Sequence, residues 1–459
     1  MDKMCSFVKK TIAVLLVFIV FTAPVYSSCA SATEISLGVD VTAEAAYVVN
    51  TNTGRVVYQK NATKQMYPAS CTKIMTAALA LEMCPDPMNT IVTVPNGVWI
   101  EFEGINISNA GLAGSEEMTM YDLVCCMLLQ SANEAASTVA HFYGRDDFID
   151  KMNMKARYLG CTGTHFVNPH GLYDADHYTT AEDLYKITEW AMTVPYFMEI
   201  ASMARYTLPE TNKHYERDLI TTNKMQDPNS GYYTSYIHGI KTGTIDESGR
   251  CFVTSAEKDG IEYVGVFLGA PFEVDTRHWS QGNSVFSNAR LTFDWLYKYA
   301  AMKKVAPAGT PVTEIALKYA AEKDYLMLCT ETDLTTLVDE TSEDAPVLTF
   351  ETNIPDHIQA PVSEGQVIGT TKVFSDGIYI GEVNLISTEN IKLSIIARIL
   401  DFVGSILTST PAMILYAIVL VFGAFYIYYM MVVIPRQQRA QQKRRERQQQ
   451  IAEKQRRRK

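Results

Sequence analysis

The chain has 459 residues, 47% apolar and 10% aromatic, which excludes a disordered or low-complexity protein and suggests more than one domain. The net charge of −11 is uneven: residues 436–459 hold eleven Lys/Arg against two Glu, the first ten residues hold a net +2, and the stretch between carries −22. So acidic a middle argues against a nucleic-acid partner.

The N-terminus reads as an export signal. Lys9 and Lys10 precede the apolar run "TIAVLLVFIVFTAPV", and Ala30-Ser31-Ala32 offers a small-residue cleavage site. Cutting there makes residues 1–32 a signal peptide and Thr33 the first mature residue. Tyr26 stands where a lipoprotein signal wants a small aliphatic residue, which disfavours lipidation of Cys29.

"AAYVVNTNTGRVVYQKN" then predicts two short strands joined by a polar turn at Gly54. A helix starts near Ser70 and ends before Pro85. Leu123, Met127 and Leu128, then Ala135 and Val139, give helical periodicity on both sides of a break at Ser131. Thr180 is a helix cap ahead of Glu182 and Asp183. After Tyr236 come three strands, "YIHGIKTGT", "RCFVTSAEKDG" and "IEYVGVFLGA", the last two joined by a Lys-Asp-Gly turn, and then the amphipathic helix "SNARLTFDWLYKYA". Late adjacent hairpins with a helical middle predict an α+β domain with an antiparallel sheet, not a doubly wound parallel one.

From Val305 short apolar segments alternate with Pro, Gly, Asp and Thr. Asp376-Gly377 sits at a hairpin turn, and the texture predicts a small all-β sandwich ending near Ser387. "NIKLSIIARILDFVGSIL" suits the membrane interface. Pro411 to Pro435 carries no charge and is long enough to cross a hydrocarbon core of ~30 Å. The Arg-rich tail directly after it fits a cytoplasmic segment, which puts the mature chain up to about Ser409 outside the cytoplasmic membrane. The expected divisions are 1–32, 33–303, 304–390, 391–410, 411–435 and 436–459. Seven cysteines follow the signal, an odd number without a CxxC. They read as small buried hydrophobes, and no Cys/His spacing matches a zinc site.

Three short motifs carry chemistry. Ser70 and Lys73 lie at i and i+3, on one helix face. The lysine can take the hydroxyl proton only when neutral, and burial and neighbouring cations push it that way. Alone, S-x-x-K is a weak signal that a capped helix with a solvated lysine explains better. Ser131 and Asn133 lie in the break between two helical runs, and Lys241-Thr242-Gly243 lies on a strand. S-x-x-K, S-x-N and K-T-G in this order form the signature of penicillin-binding proteins and serine β-lactamases. Ser131 can pass a proton to a leaving amine, Asn133 can donate to a substrate amide, and Lys241 adds charge that attracts a carboxylate. Gly243 lets substrate backbone approach the strand. The N–H groups of Ser70 and Thr244 can form an oxyanion hole.

The chain resembles the low-molecular-weight penicillin-binding proteins of the D-alanyl-D-alanine carboxypeptidase family. The likeness is carried by "AAYVVNTNTGRVVYQKNATKQMYPASCTKIMTA", by Asn168-Pro169-His170-Gly171-Leu172 in the loop after the second motif, and by "APVSEGQVIG" and "IGEVNLIS" in the β domain. It covers nearly the whole mature chain. It implies a penicillin-binding, β-lactamase-like transpeptidase fold and a serine hydrolase that removes the terminal D-alanine of peptidoglycan stem pentapeptides. The acyl-enzyme would form on Ser70, with β-lactams as suicide substrates and no metal or organic cofactor. Many relatives attach through an amphipathic helix, whereas this chain looks set to cross the bilayer. The alternatives are a D,D-endopeptidase, a β-lactamase, which residues 166–172 disfavour for want of a glutamate, and a β-lactam sensor or wall-binding receptor without turnover.

Overall fold

The computed structural model describes residues 38–272, 284–341 and 345–456. The expected signal at 1–32 lies outside the described residues. Ala45–Asn50 (β1) and Arg55–Lys60 (β2) pair antiparallel across the expected turn. Two small ladders follow, Ile91–Thr93 (β3) with Glu117–Thr119 (β4), and Arg205–Leu208 (β5) with Arg217–Ile220 (β6). Ile237–Ile245 (β7), Gly249–Lys258 (β8) and Ile261–Ala270 (β9) complete a five-stranded antiparallel sheet in the order β2-β1-β9-β8-β7.

Both faces of this sheet are buried, which is why its strands read as continuous apolar runs. Val49, Val253, Val264 and Leu268 pack toward a helical layer. Val48, Phe252, Tyr263 and Phe267 pack toward the helix Ser284–Tyr299. The helices Lys73–Met83 and Met120–Leu129 form the centre of the helical layer, and every residue of the second is buried. Thr180 caps the helix Ala181–Thr193 by accepting from the Asp183 N–H, as expected. The helix Arg145–Tyr158 escaped the sequence reading because it is polar overall; Phe148, Met152 and Ala156, with the buried Asn153, give it only a narrow buried face.

Ser70 does not lie in an α-helix. Ala69–Thr72 is a 3₁₀ turn, and the α-helix begins at Lys73. A second turn presses on it: a Cβ on Gly171, where φ is +88°, would meet the Ala69 carbonyl oxygen at 1.8 Å.

The described chain divides into two compact units. One holds the residues up to Pro307 with Asp333–Glu351 and Lys372–Glu382; the other holds Ala308–Thr332, Thr352–Thr371 and Val383 onward. The C-terminal region is all-β up to Ser387. A six-stranded sheet runs Leu348–Asn353, Val367–Ser375, Ile378–Ser387, Tyr325–Thr330, Pro311–Lys318, His357–Gln359. Ile315, Leu326, Leu328 and Leu385 anchor a core of the second unit. After it come the amphipathic helix Ile395–Leu407 and one helix, Thr410–Ala452, long and apolar enough to cross a membrane. All seven described cysteines are buried and unpaired.

Gly171→Ala is expected to cost about 3 kcal/mol or more in urea denaturation, from backbone strain plus the clash. Gly54→Ala, with φ +68° but open space around it, is the comparison and should cost about 1 kcal/mol. Equal losses would mean that the Gly171 contact is unimportant.

Candidate active site

The motif residues come from three separate elements. Ser70 and Lys73 straddle the junction between the 3₁₀ turn and its helix, Ser131 sits in the short link after the helix Met120–Leu129, Asn133 opens the next helix, Asn133–Phe142, rather than lying in the break, and Lys241 to Thr244 lie on β7. A cleft of about 240 Å³ is lined by Ser70, Ser131, Thr242, Gly243 and Thr244, together with Ser108, Thr222, Lys224 and Arg250. Lys73, Asn133 and Lys241 are buried behind it.

The Lys73 amine has three polar neighbours. Its Nζ lies 3.0 Å from Ser70 Oγ, 2.6 Å from Asn133 Oδ1 and 2.7 Å from the His170 carbonyl oxygen. Two of these can only accept, while the Ser70 hydroxyl can also donate. A neutral amine satisfies all three: its two N–H groups serve the amide and the carbonyl, and its lone pair faces the Ser70 hydroxyl. Burial lowers the Lys73 pKa well below the ordinary lysine value, and the Lys241 charge lowers it further. Burial lowers Lys241 to about 8. Its ammonium donates to the Thr242 carbonyl at 2.8 Å. Because Asn133 turns Oδ1 to Lys73, its Nδ2 points the other way.

Backbone strain frames the site. Ala69 has φ +48° and Ser131 φ +62°, conformations that cost non-glycine residues about 1–3 kcal/mol each. A Cβ on Gly243 would lie 3.1 Å from Ser70 N and 3.0 Å from Ala69 Cβ, so only glycine lets β7 pass this close to the turn. β7 is the last strand of the sheet, which leaves one side of its backbone unpaired there. An extended peptide can add to such an edge.

Several supporting residues escaped the sequence reading. His177 Nδ1 accepts from the Val167 N–H at 3.1 Å, so its proton sits on Nε2, 2.8 Å from Thr72 Oγ1. Thr72 in turn donates to the Ala69 carbonyl at 2.9 Å, closing the strained turn. Burial lowers His177 to about 3 and His170 to about 4, so both rings are neutral. The Asn168 side chain accepts from the His170 and Gly171 N–H groups, and Thr76 donates to the Pro169 carbonyl at 2.6 Å. These bonds aim the His170 carbonyl at Lys73. Glu134 is fully buried, and its Oε1 accepts from the Ala110 N–H at 2.7 Å. Together with the bond from Asn133 N to the Ser108 carbonyl, 2.9 Å, it fixes one wall of the cleft. The sequence signals for these were the quoted Asn168–Leu172 loop and the quoted stretch through Ser70, which contains Thr72 and Thr76.

Comparison with known proteins identifies the family. Residues 30–272 match the D-alanyl-D-alanine carboxypeptidase family. The chain belongs to that family. Its activity is that of a serine-type D-Ala-D-Ala carboxypeptidase. Residues 301–393 match the penicillin-binding protein 5 C-terminal domain. The chain is 26% identical to D-alanyl-D-alanine carboxypeptidase DacF of Bacillus subtilis over 363 residues, covering 76% of this chain and 86% of that protein. It is 30% identical to D-alanyl-D-alanine carboxypeptidase DacB2 of Mycobacterium tuberculosis over 252 residues, 54% of this chain and 80% of that one. The fold is that of penicillin-binding protein 5 from Haemophilus influenzae, with a TM-score of 0.57 and 22% identity over 77% of this chain and 98% of that one.

With ¹³Cε-labelled lysines, Lys73 is expected to titrate well below the ordinary lysine range, and Lys241 near 8. Lys241→Met should move the Lys73 titration upward, because a neighbouring positive charge is lost. A Lys73 signal that titrates like an exposed lysine would contradict a neutral buried amine.

Proposed function

We propose that Ser70 is the nucleophile, Lys73 its base and Ser131 the proton carrier of this carboxypeptidase. The substrate proposed is the terminal D-Ala-D-Ala of a peptidoglycan stem pentapeptide. One observation carries the reading: a buried amine whose Nζ lies 3.0 Å from the Ser70 hydroxyl, with two obligate acceptors as its other partners. Lys73 takes the Ser70 proton as Oγ bonds to the carbonyl carbon of the penultimate D-alanine. The Ser70 and Thr244 N–H groups hold the oxyanion. The C–N bond then breaks, and the terminal D-alanine leaves with a proton passed from Lys73 through Ser131. Water cleaves the acyl-enzyme. Asn133 and the Gly243 edge of β7 hold the peptide, while Lys241 and Thr242 hold its carboxylate. A β-lactam enters by the same attack, but its leaving nitrogen stays tethered.

The proposed divisions are those expected from the sequence, with catalysis in 33–303 and a β domain in 304–390. The family matches at 30–272 and 301–393 support them. The helix Thr410–Ala452 is a candidate membrane anchor. Its uncharged run and basic sequel support a single crossing, with the catalytic domain outside the cytoplasmic membrane and the tail inside.

Incubation of the full chain in detergent with a peptide ending in D-Ala-D-Ala should release D-alanine, and Ser70→Ala should release none. The rate should rise with pH as Lys73 loses its proton. It should fall above about 8 as Lys241 loses its charge. Penicillin labelling without any D-alanine release would favour a sensor instead.

A further inference from the structure

The cleft holds a hydroxyl that none of the three motifs supplies. Thr222 Oγ1 lies 2.7 Å from Thr242 Oγ1, and both line the cleft with Ser70 and Ser131. Neither hydroxyl has another hydrogen-bond partner among the described residues. Thr222 is fixed by its surroundings. Its N–H donates at 2.9 Å to the carbonyl of Leu129, at the end of the helix that precedes Ser131. Next in the chain, Asn223 Nδ2 donates at 2.8 Å to the Gly239 carbonyl on β7. The segment therefore ties the Ser131 region to the strand that carries Lys241 and Thr242.

Two hydroxyls at this separation share one hydrogen. The oxygen that accepts keeps its own hydrogen for a third partner, and accepting a bond makes it a stronger donor. The Lys241 ammonium is anchored on the Thr242 carbonyl at 2.8 Å, so an anion against Thr242 meets both a positive charge and a polarised O–H. With an anion in place the pair has one order, Thr222 donating to Thr242 and Thr242 donating to the anion.

We propose that Thr222 is a positioning residue for the terminal carboxylate of the substrate. By donating to Thr242 it presents the Thr242 hydrogen to that carboxylate, and it thereby favours peptides with a free D-alanine end over internal D-Ala-D-Ala bonds. This rests on the carboxypeptidase reading of Ser70. It reaches a residue outside the motifs and gives it a substrate group.

The test compares one acylated tripeptide ending in D-Ala-D-Ala as the free acid and as the C-terminal amide. The protein is the full chain in detergent, as wild type, Thr222→Val and Thr222→Ser. Thr222→Val should raise KM for the acid by about tenfold, the effect of weakening one hydrogen bond to a charged group, with kcat nearly unchanged. KM for the amide should stay the same, and Thr222→Ser should restore the preference for the acid. Dissociation constants of both peptides, measured by calorimetry with and without Thr222→Val in a Ser70→Ala background, should show the same split without turnover. An unchanged acid KM and dissociation constant in Thr222→Val, equal losses for acid and amide, or failure of the serine variant to rescue would each overturn the proposal. A wild type that binds the acid preferentially but releases no D-alanine would count against the carboxypeptidase reading and leave the Thr222 split decisive.

Discussion

The structure is organised around an amine kept out of water without a carboxylate beside it. Lys73 is fully buried, and its hydrogen-bond partners are a hydroxyl, an amide oxygen and a backbone carbonyl. A charged lysine in such a place loses its hydration and gains no counterion in contact, which pushes its pKa down. Lys241, also buried, adds to this from β7. The carboxylate of Glu134 opposes it from the start of the next helix, but that carboxylate is occupied by the Ala110 N–H and is itself pushed toward the neutral form by burial.

Holding the amine this way requires a stiff surround. The turn that carries Ser70 is strained at Ala69, and three contacts keep it closed: the Thr72 hydroxyl backed by His177, Gly171 packed on the Ala69 carbonyl, and Gly243 on the other side. Each relies on an element from a different part of the chain. Rigidity follows from the sheet's burial on both faces, since β7 and β8 cannot shift without disturbing two cores. Local strain of about 1–3 kcal/mol per residue is tolerable in a site over-determined by packing.

Much of the architecture was legible from local pattern. The β1–β2 hairpin, the Thr180 cap, the three late strands and the uncharged run from Pro411 to Pro435 each declare themselves within about twenty residues, the range over which hydropathy period and turn chemistry act. The polar helix Arg145–Tyr158 and the β5–β6 ladder did not, because a narrow buried face with few apolar residues and short half-exposed strands leave little pattern. The 3₁₀ turn at Ser70 was read as the start of an α-helix, since both place i and i+3 side chains together.

The sequence by itself determined which groups were available: a serine and a lysine one turn apart, a second serine with its asparagine, and a lysine-threonine-glycine on a strand. Those identities are covalent and need no fold to be read. Only the tertiary structure decided that they meet, that burial drives the Lys73 pKa down and that Thr222 joins Thr242. Contact, dehydration and the aim of a carbonyl depend on segments that fold from far along the chain, and no local window of residues contains them.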